Sequence, residues 1–138
     1  MENKKIEIEY KQFVIVPRRP KMSTGKIASQ VAHATYLALE KQRKLIELEN
    51  GCFIPGKTKD NIIKKWKYTG MCVIVLECKN TMQLYGIAKY LDQWDIANNL
   101  YIDEGLTEID MGTPTALATG VLIKDQHWML SHLNLFRR

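Results

Sequence analysis

The chain has 138 residues, of which 46% are hydrophobic and 25% are charged. This length suits one domain with a sizeable core, and the composition excludes wholesale disorder, collagen and coiled coil. No apolar run reaches the ~18 residues that a membrane span requires, and the first residues lack the apolar core of a signal peptide. We therefore expect a cytoplasmic protein without a membrane partner.

The net charge of +5 is unevenly distributed along the chain. Residues 1–91 carry 17 basic and 8 acidic side chains, whereas residues 92–123 carry six acids and no Lys or Arg. One basic cluster lies near the start of the first predicted helix, and a second lies at residues 57–67. Basic surfaces attract polyanions because each phosphate contact releases counterions. The alternative is a solvated lysine-rich surface, but the confined acidic segment indicates a separate task.

The apolar pattern predicts alternating strands and helices. In chain order it predicts a strand at residues 12–17, a helix from about 25 to 49, a short helical or irregular piece at 61–67, a strand at 71–78, a helix from 81 to about 94 or 97, strands at 100–103 and 115–122, a short helix at 124–131 and a short strand at 133–136. Most predicted strands are β-branched apolar runs. Ser23 or Thr24 supplies an N-cap for the first helix.

This order of elements is typical of an α/β fold. We expect a single domain at residues 11–138, preceded by an N-terminal extension at residues 1–10. The predicted architecture is a mixed β-sheet of four to five strands with helices on both faces. Each strand-helix-strand step predicts parallel neighbouring strands joined by a right-handed crossover.

The start of the first helix is one candidate site. Residues 23–26, Ser-Thr-Gly-Lys, form a helix N-terminus, where free N–H groups suit an anion. At about 100° per residue, Lys26, Gln30 and His33 share one stripe beside the apolar face of this helix. The segment is not a Walker A loop, since neither Ser nor Thr follows Lys26. The alternative is a capped helix with an ordinary polar face.

A second candidate site begins at Asp103, at the end of a predicted strand, where α/β sheets place ligands. Hydroxyl groups follow at Thr107, Thr113 and Thr115, and two glycines permit a tight backbone. A carboxylate with several hydroxyls is compatible with hydrolysis. It is equally compatible with an acidic turn capped by threonines.

Other chemistries lack their signatures. The sequence has no G-x-S-x-G, H-E-x-x-H, C-x-x-C or G-x-G-x-x-G pattern. Cys52, Cys72 and Cys78 are odd in number and lack the spacing of a zinc site or a disulfide framework, so buried free thiols are predicted. A Cys–His nucleophile stays open, although nothing in the sequence marks one.

Two segments together resemble one protein family. Residues 21–34, Lys-Met-Ser-Thr-Gly-Lys-Ile-Ala-Ser-Gln-Val-Ala-His-Ala, resemble the first motif of the type-2 peptidyl-tRNA hydrolases of archaea and eukaryotes. Residues 103–115, read as D-x-G-x-T-x-I-x-x-G-T-x-T, resemble the second motif. The resemblance covers about residues 11–136, and two motifs in the right order are far more specific than either alone.

The resemblance implies a compact α/β fold and an activity. That activity is hydrolysis of the ester between a peptide and the 3′-terminal ribose of tRNA, which recycles the tRNA. Peptidyl-tRNA is then the partner, no cofactor or metal is expected, and a homodimer is allowed because the family is often dimeric. The catalytic residues implied are Lys26, Asp103, Thr107 and Thr115. Substrate contacts are expected from Gln30, His33, Thr113, Arg18, Arg19 and Lys21.

The sequence departs from the family pattern at a few positions. Arg19 replaces an acid, Thr24 replaces a lysine of Gly-Lys-Gly-Lys, and Met71 and Glu108 each replace a glutamine. These changes leave the expected catalytic residues intact and concern substrate contacts instead. Two other functions remain open: a non-catalytic module that binds tRNA, other RNA or protein on the same fold, and a hydrolase of small esters or amides.

Overall fold

The computed structural model describes residues 8–49, 62–105 and 110–137. The strands are β1 (Tyr10–Pro17), β2 (Val73–Cys78), β3 (Asn98–Ile102) and β4 (Pro114–Ile123). The helices are α1 (Thr24–Glu49), α2 (Ile62–Tyr68), α3 (Thr81–Gln93) and a C-terminal 3₁₀ helix (Lys124–Leu130). The predicted α/β fold with a four- to five-stranded sheet is confirmed. Most of the predicted extension at residues 1–10 lies outside these ranges.

The sheet is mixed, with the strand order β2-β1-β4-β3. β1 pairs with β2 in parallel, and β4 pairs antiparallel with both β1 and β3. The first strand-helix-strand step therefore gives parallel neighbours, as predicted. The second step does not, because two strands separate β3 from β2. β3 pairs instead with β4, the strand that follows it in sequence, as consecutive strands usually do.

The predicted last strand is reduced to one bridge. Leu135 pairs with Leu76 at the free edge of β2. The Glu77 N–H donates to the Asn134 carbonyl at 2.9 Å, and the Phe136 N–H donates to the Val75 carbonyl at 2.9 Å. These bonds fix the C-terminal segment beside β2.

Helices cover both faces of the sheet, as predicted. Leu84, Ile87 and Leu91 of α3 pack with the 3₁₀ helix on one face. On the other face, Ala34 and Ala38 of α1 pack in one cluster with small residues of β4. Because these side chains are small, α1 lies close to the sheet, and its first turns reach the end of β3. None of the helices in the described ranges is long and apolar enough to cross a membrane.

Candidate active site

An ion pair joins the two candidate segments. The Lys26 Nζ donates to the Asp103 Oδ1 at 2.6 Å. The side chains are only 9% and 4% exposed, so the pair is nearly shielded from water. Lys26 lies in the first turn of α1, whose N-terminus is capped by the Ser23 hydroxyl, which accepts the Lys26 N–H at 3.2 Å. The predicted cap at Ser23 is confirmed.

The backbone around Asp103 fixes its carboxylate. The Asp103 N–H donates to the Thr113 carbonyl at 2.8 Å, and its own carbonyl accepts from the Gly112 N–H at 2.9 Å. The Gly105 N–H donates to Oδ2 at 2.8 Å. Gly105 has φ +76°, and an added Cβ would lie 2.6 Å from the Met111 Cβ. Position 105 therefore requires glycine, both for its conformation and for space.

The surroundings of Asp103 keep it ionised. The hydrogen bond from Lys26 is the largest influence and holds the pKa of the Asp103 carboxyl below its ordinary value. Burial acts in the opposite direction, and the Gly105 N–H adds to the lowering. A carboxylate with a lowered pKa is a weak proton acceptor. Both of its oxygens also hold hydrogen bonds, so the site suits orientation and charge stabilisation better than proton abstraction.

A buried hydrogen bond lies one helical turn further along α1. The Thr115 hydroxyl donates to the Gln30 Oε1, and these residues are 1% and 3% exposed. Tyr101 pairs with Ala116 and Ile102 pairs with Pro114, so the register passes over Thr115 as an extra residue of β4. Such a β-bulge redirects a side chain. In a regular strand, neighbouring side chains point to opposite faces. The bulge explains why Thr115 and its neighbour Ala116 both face α1.

An aromatic contact completes the polar stripe of α1. The His33 ring stacks on the Tyr101 ring with centroids 4.8 Å apart and planes 14° from parallel. Sequence reasoning did not select Tyr101. The two-residue alternation of a strand could have identified Tyr101, because it places Tyr101 on the same face as Asp103, the residue just after β3. The stripe of Lys26, Gln30 and His33 thus meets the ends of β3 and β4 along its whole length.

The other predicted site residues lie around this centre or outside the description. Thr113 contributes its backbone carbonyl, which accepts from Asp103. Arg18, Arg19 and Lys21 are exposed on the connection between β1 and α1. The Arg18 Nη1 lies 2.7 Å from the Glu77 Oε2, so its charge is partly compensated. Thr107 and the departure at Glu108 lie outside the described residues.

Thiol and metal chemistry gain no support from the described part of the chain. Cys72 and Cys78 carry free thiols; Cys78 is buried as predicted, Cys72 is only half-buried, and Cys52 lies outside the description. Burial raises the pKa of the Cys78 thiol to about 11, which leaves almost none of the nucleophilic thiolate at neutral pH. Within residues 8–49, 62–105 and 110–137, no three His, Cys, Asp or Glu side chains gather as metal ligands.

Similar proteins are found among archaeal enzymes. The chain is 32% identical over 111 residues to a peptidyl-tRNA hydrolase of Methanopyrus kandleri, covering 80% of this chain and 84% of that protein. It is 34% identical over 112 residues to a peptidyl-tRNA hydrolase of Thermococcus sibiricus, covering 81% and 84%. It is also 34% identical over 112 residues to a peptidyl-tRNA hydrolase of Staphylothermus marinus, covering 81% and 82%.

A family model gives the same result over nearly the whole chain. The model described as peptidyl-tRNA hydrolase PTH2 matches residues 10–136. That range includes both motifs and every residue of the site described above. The resemblance of the two motifs is confirmed, and nothing in the comparisons favours a non-catalytic module. This chain belongs to the peptidyl-tRNA hydrolase PTH2 family.

Proposed function

We propose that this protein hydrolyses the ester that joins a peptide to the 3′-terminal ribose of tRNA, with the Lys26–Asp103 pair at the reacting centre. The observation that carries this function is the pair itself, in which two residues 77 positions apart in the sequence, one from each motif, lie within 2.6 Å. Buried charges are costly unless they are paired, and ionisable groups whose pKa is shifted by burial and a charged partner are candidates for functional sites. Membership of the family supplies the reaction class.

Water is the proposed nucleophile. It attacks the ester carbonyl, a new C–O bond forms, and the bond to the ribose oxygen breaks. The attacking water loses a proton and the ribose oxygen gains one, so that a free carboxyl group and a free hydroxyl result. Asp103 orients the water through its fixed carboxylate, since its lowered pKa makes it a weak base. The Lys26 ammonium stabilises the negative charge that develops on the carbonyl oxygen.

The remaining polar residues position this centre. The buried bond from Thr115 to Gln30 fixes α1 against β4 directly beside the ion pair. His33, stacked on Tyr101, extends the same surface toward the substrate. Thr113 holds the Asp103 backbone, and Thr107 is proposed as a further hydroxyl contact. No step requires a cofactor or a metal.

The tRNA is proposed to contact two basic surfaces on the same face of the sheet as α1. Arg18, Arg19 and Lys21 lie near the start of this helix. A second basic surface is a groove of about 450 Å³ lined by Arg43, Lys64, Lys67 and Tyr68, with Ile63 as its buried part. Arg43 follows Lys26 by seventeen residues of α1, so the groove lies about 25 Å from the reacting pair. The acceptor arm of a tRNA spans this distance, and a small ester does not.

Salt dependence tests this contact with the tRNA body. We expect Lys67→Gln to weaken tRNA binding uniformly and to lower the slope of log Kd against log salt by about 1. Lys89→Gln removes an exposed charge on α3, which lies on the opposite face of the sheet, and should change neither quantity. An unchanged slope in Lys67→Gln would exclude this groove from the tRNA contact.

A homodimer is proposed through the face formed by α3 and the 3₁₀ helix. Apolar side chains that are half exposed or more gather there: Met82, Tyr85, Trp94 and Trp128. The Trp94 and Trp128 rings lie 5.8 Å apart at right angles. Apolar surface of this kind marks protein contacts. Sedimentation should show a dimer that Trp94→Glu dissociates and Tyr68→Glu on α2 leaves intact; a monomeric wild type would refute this face as an interface.

The cellular setting follows from the substrate. Peptidyl-tRNA arises in translation, and a cytoplasmic location is therefore proposed. A division into an extension at residues 1–10 and one hydrolase domain at residues 11–138 is also proposed. The range of the family match, residues 10–136, supports this division.

Substrate choice tests the reaction class. The protein should release tRNA from N-acetyl-aminoacyl-tRNA, and it should act far more slowly on the nitrophenyl ester of the same N-acetyl amino acid. A binding module would retain the blocked aminoacyl-tRNA without turnover. A hydrolase of small esters would cleave both substrates, with little effect of added salt on either rate.

A further inference from the structure

A groove lies between the connection from β1 to α1 and the C-terminal segment beside β2. Its volume is about 510 Å³, within the range of ligand sites. Four cationic side chains line it: Arg18, Arg19, Lys21 and Arg137. Four apolar residues complete the lining: Pro17, Met22, Ile27 and Phe136. Ile27, one of these lining residues, follows Lys26 directly in the first turn of α1.

The C-terminal segment forms one wall of this groove. Backbone bonds to Val75 and Glu77 hold it beside β2. Phe136 is half-buried: part of its ring packs against the cluster between α1 and the sheet, and it also lines the groove. Arg137 is exposed at the same wall. The C-terminal segment, which contains none of the expected site residues, therefore supplies both an aromatic ring and a cation.

The groove carries an excess of positive charge. Arg18 is compensated by Glu77. Within the described part of the chain, no acidic side chain pairs with Arg19, Lys21 or Arg137. Sites that bind single-stranded nucleic acids combine cations with an aromatic side chain, because bases stack on the ring and phosphates contact the cations. Three cations beside Phe136 give this groove the same combination. A peptide of variable sequence has no comparable need for three cations.

We propose that this groove binds the single-stranded 3′ end of the tRNA, with a base against Phe136 and backbone phosphates against Arg137, Arg19 and Lys21. This inference rests on the proposed function and extends it, because it assigns the terminal nucleotides to a site formed in part by the C-terminal segment. Seating of those nucleotides delivers the adjoining ester to Lys26. The groove recognises the strand by stacking and charge, without reading its sequence.

Direct binding of a short strand tests the groove. The probe is a fluorescent tetranucleotide ending in CCA, titrated with wild type and with the variants Phe136→Leu and Arg137→Gln. We expect Phe136→Leu to raise Kd about fivefold or more, because it removes the stacking surface and keeps an apolar side chain in the core. Arg137→Gln should lower the salt slope by about 0.7. Lys44→Gln, an exposed charge at the far end of α1, should match wild type.

Two results would overturn the inference. One is a tetranucleotide Kd that stays within twofold of wild type in both Phe136→Leu and Arg137→Gln. The other is tighter binding of a tetraglutamate peptide than of the tetranucleotide, which would assign the groove to acidic peptide. Arg137 is exposed, so its variant should fold even if Phe136→Leu lowers the melting temperature.

Turnover separates this inference from the proposed function. With N-acetyl-aminoacyl-tRNA, Phe136→Leu should raise KM at least fivefold and leave kcat within twofold of wild type. An unchanged KM in an active enzyme would refute the groove and leave the hydrolase intact. An inactive wild type would refute the hydrolase, and the tetranucleotide titration would still decide the groove.

Discussion

The Lys26 Nζ lies 2.6 Å from the Asp103 Oδ1, with both side chains nearly shielded from water. An ion pair in such surroundings is a poor source of stability, because desolvation of the two charges offsets their attraction. We propose that the arrangement instead holds an ammonium group and a carboxylate in place for the charge that develops in the reaction. The Gly105 N–H fixes the second carboxylate oxygen and completes this arrangement.

Removal of one charge of the Lys26–Asp103 pair should destabilise the protein more than removal of both. Lys26→Met leaves a carboxylate with its cation removed and should lower the free energy of unfolding by about 3–5 kcal/mol. The double variant Lys26→Met/Asp103→Asn removes both charges and should recover most of that loss. Urea denaturation measures each value.

A surface pair provides the control for this cycle. The Lys44 Nζ lies 3.7 Å from the Glu40 Oε1, and its side chain is 67% exposed. Lys44→Met should therefore cost no more than about 1 kcal/mol. If Lys26→Met cost as little as Lys44→Met, the pair would not be energetically coupled as the structure indicates.

The lowered pKa of Asp103 gives a pH dependence with a definite sign. The unfolded carboxyl has a pKa of about 3.9, and the folded one lies below it. The stability from this carboxylate is thus fully present above about pH 4 and is lost as the pH falls through the folded pKa. Below pH 4, the free energy of unfolding of wild type should fall relative to that of Asp103→Asn. A difference between the two free energies that changes between pH 5 and 7 would contradict the assignment.

Gly105 should be less replaceable than Gly112. Both have positive φ, +76° and +84°, so alanine is strained at either position. Only at Gly105 does the new Cβ meet another residue, at 2.6 Å from the Met111 Cβ, and only the Gly105 N–H bonds the Asp103 side chain. Gly105→Ala should lose at least tenfold more kcat/KM than Gly112→Ala. Equal losses would show that backbone strain alone accounts for the effect.

The Thr115 hydroxyl should matter more than its methyl group. Thr115→Val keeps the shape and removes the donor to Gln30, which leaves a buried amide oxygen unpaired at a cost of about 1–3 kcal/mol. Thr115→Ser keeps the donor. We expect kcat to fall at least tenfold in Thr115→Val and to stay within about threefold in Thr115→Ser. The reverse order in steady-state kinetics would assign Thr115 a packing role.

Local patterns predicted the residues of the site better than its assembly. Helical spacing placed Lys26, Gln30 and His33 on one stripe, and the end of a predicted strand located Asp103. Short-range rules suffice for these features, since each depends on one element. The prediction that β3 lies beside β2 was wrong, because the pairing of strands depends on contacts between distant segments.

Other features escaped prediction for identifiable reasons. Thr115 turns toward α1 through a bulge, which has no signal in the alternation of the strand. Gln12 stands at the start of an apolar run and is fully buried, where its Nε2 donates to the Thr35 and Thr119 carbonyls at 3.1 and 3.0 Å. The sequence pattern of a strand does not show that a carbonyl of a distant helix will lie within reach of a polar side chain such as Gln12.

Release of free tRNA from N-acetyl-aminoacyl-tRNA by wild type and by Asp103→Asn, measured side by side at neutral pH, tests the central claim most directly. We expect wild-type turnover and a loss of at least about a hundredfold in Asp103→Asn, with tRNA binding retained and the fold verified by circular dichroism. An Asp103→Asn rate within a few-fold of wild type would contradict the assignment of the reacting centre to the Lys26–Asp103 pair.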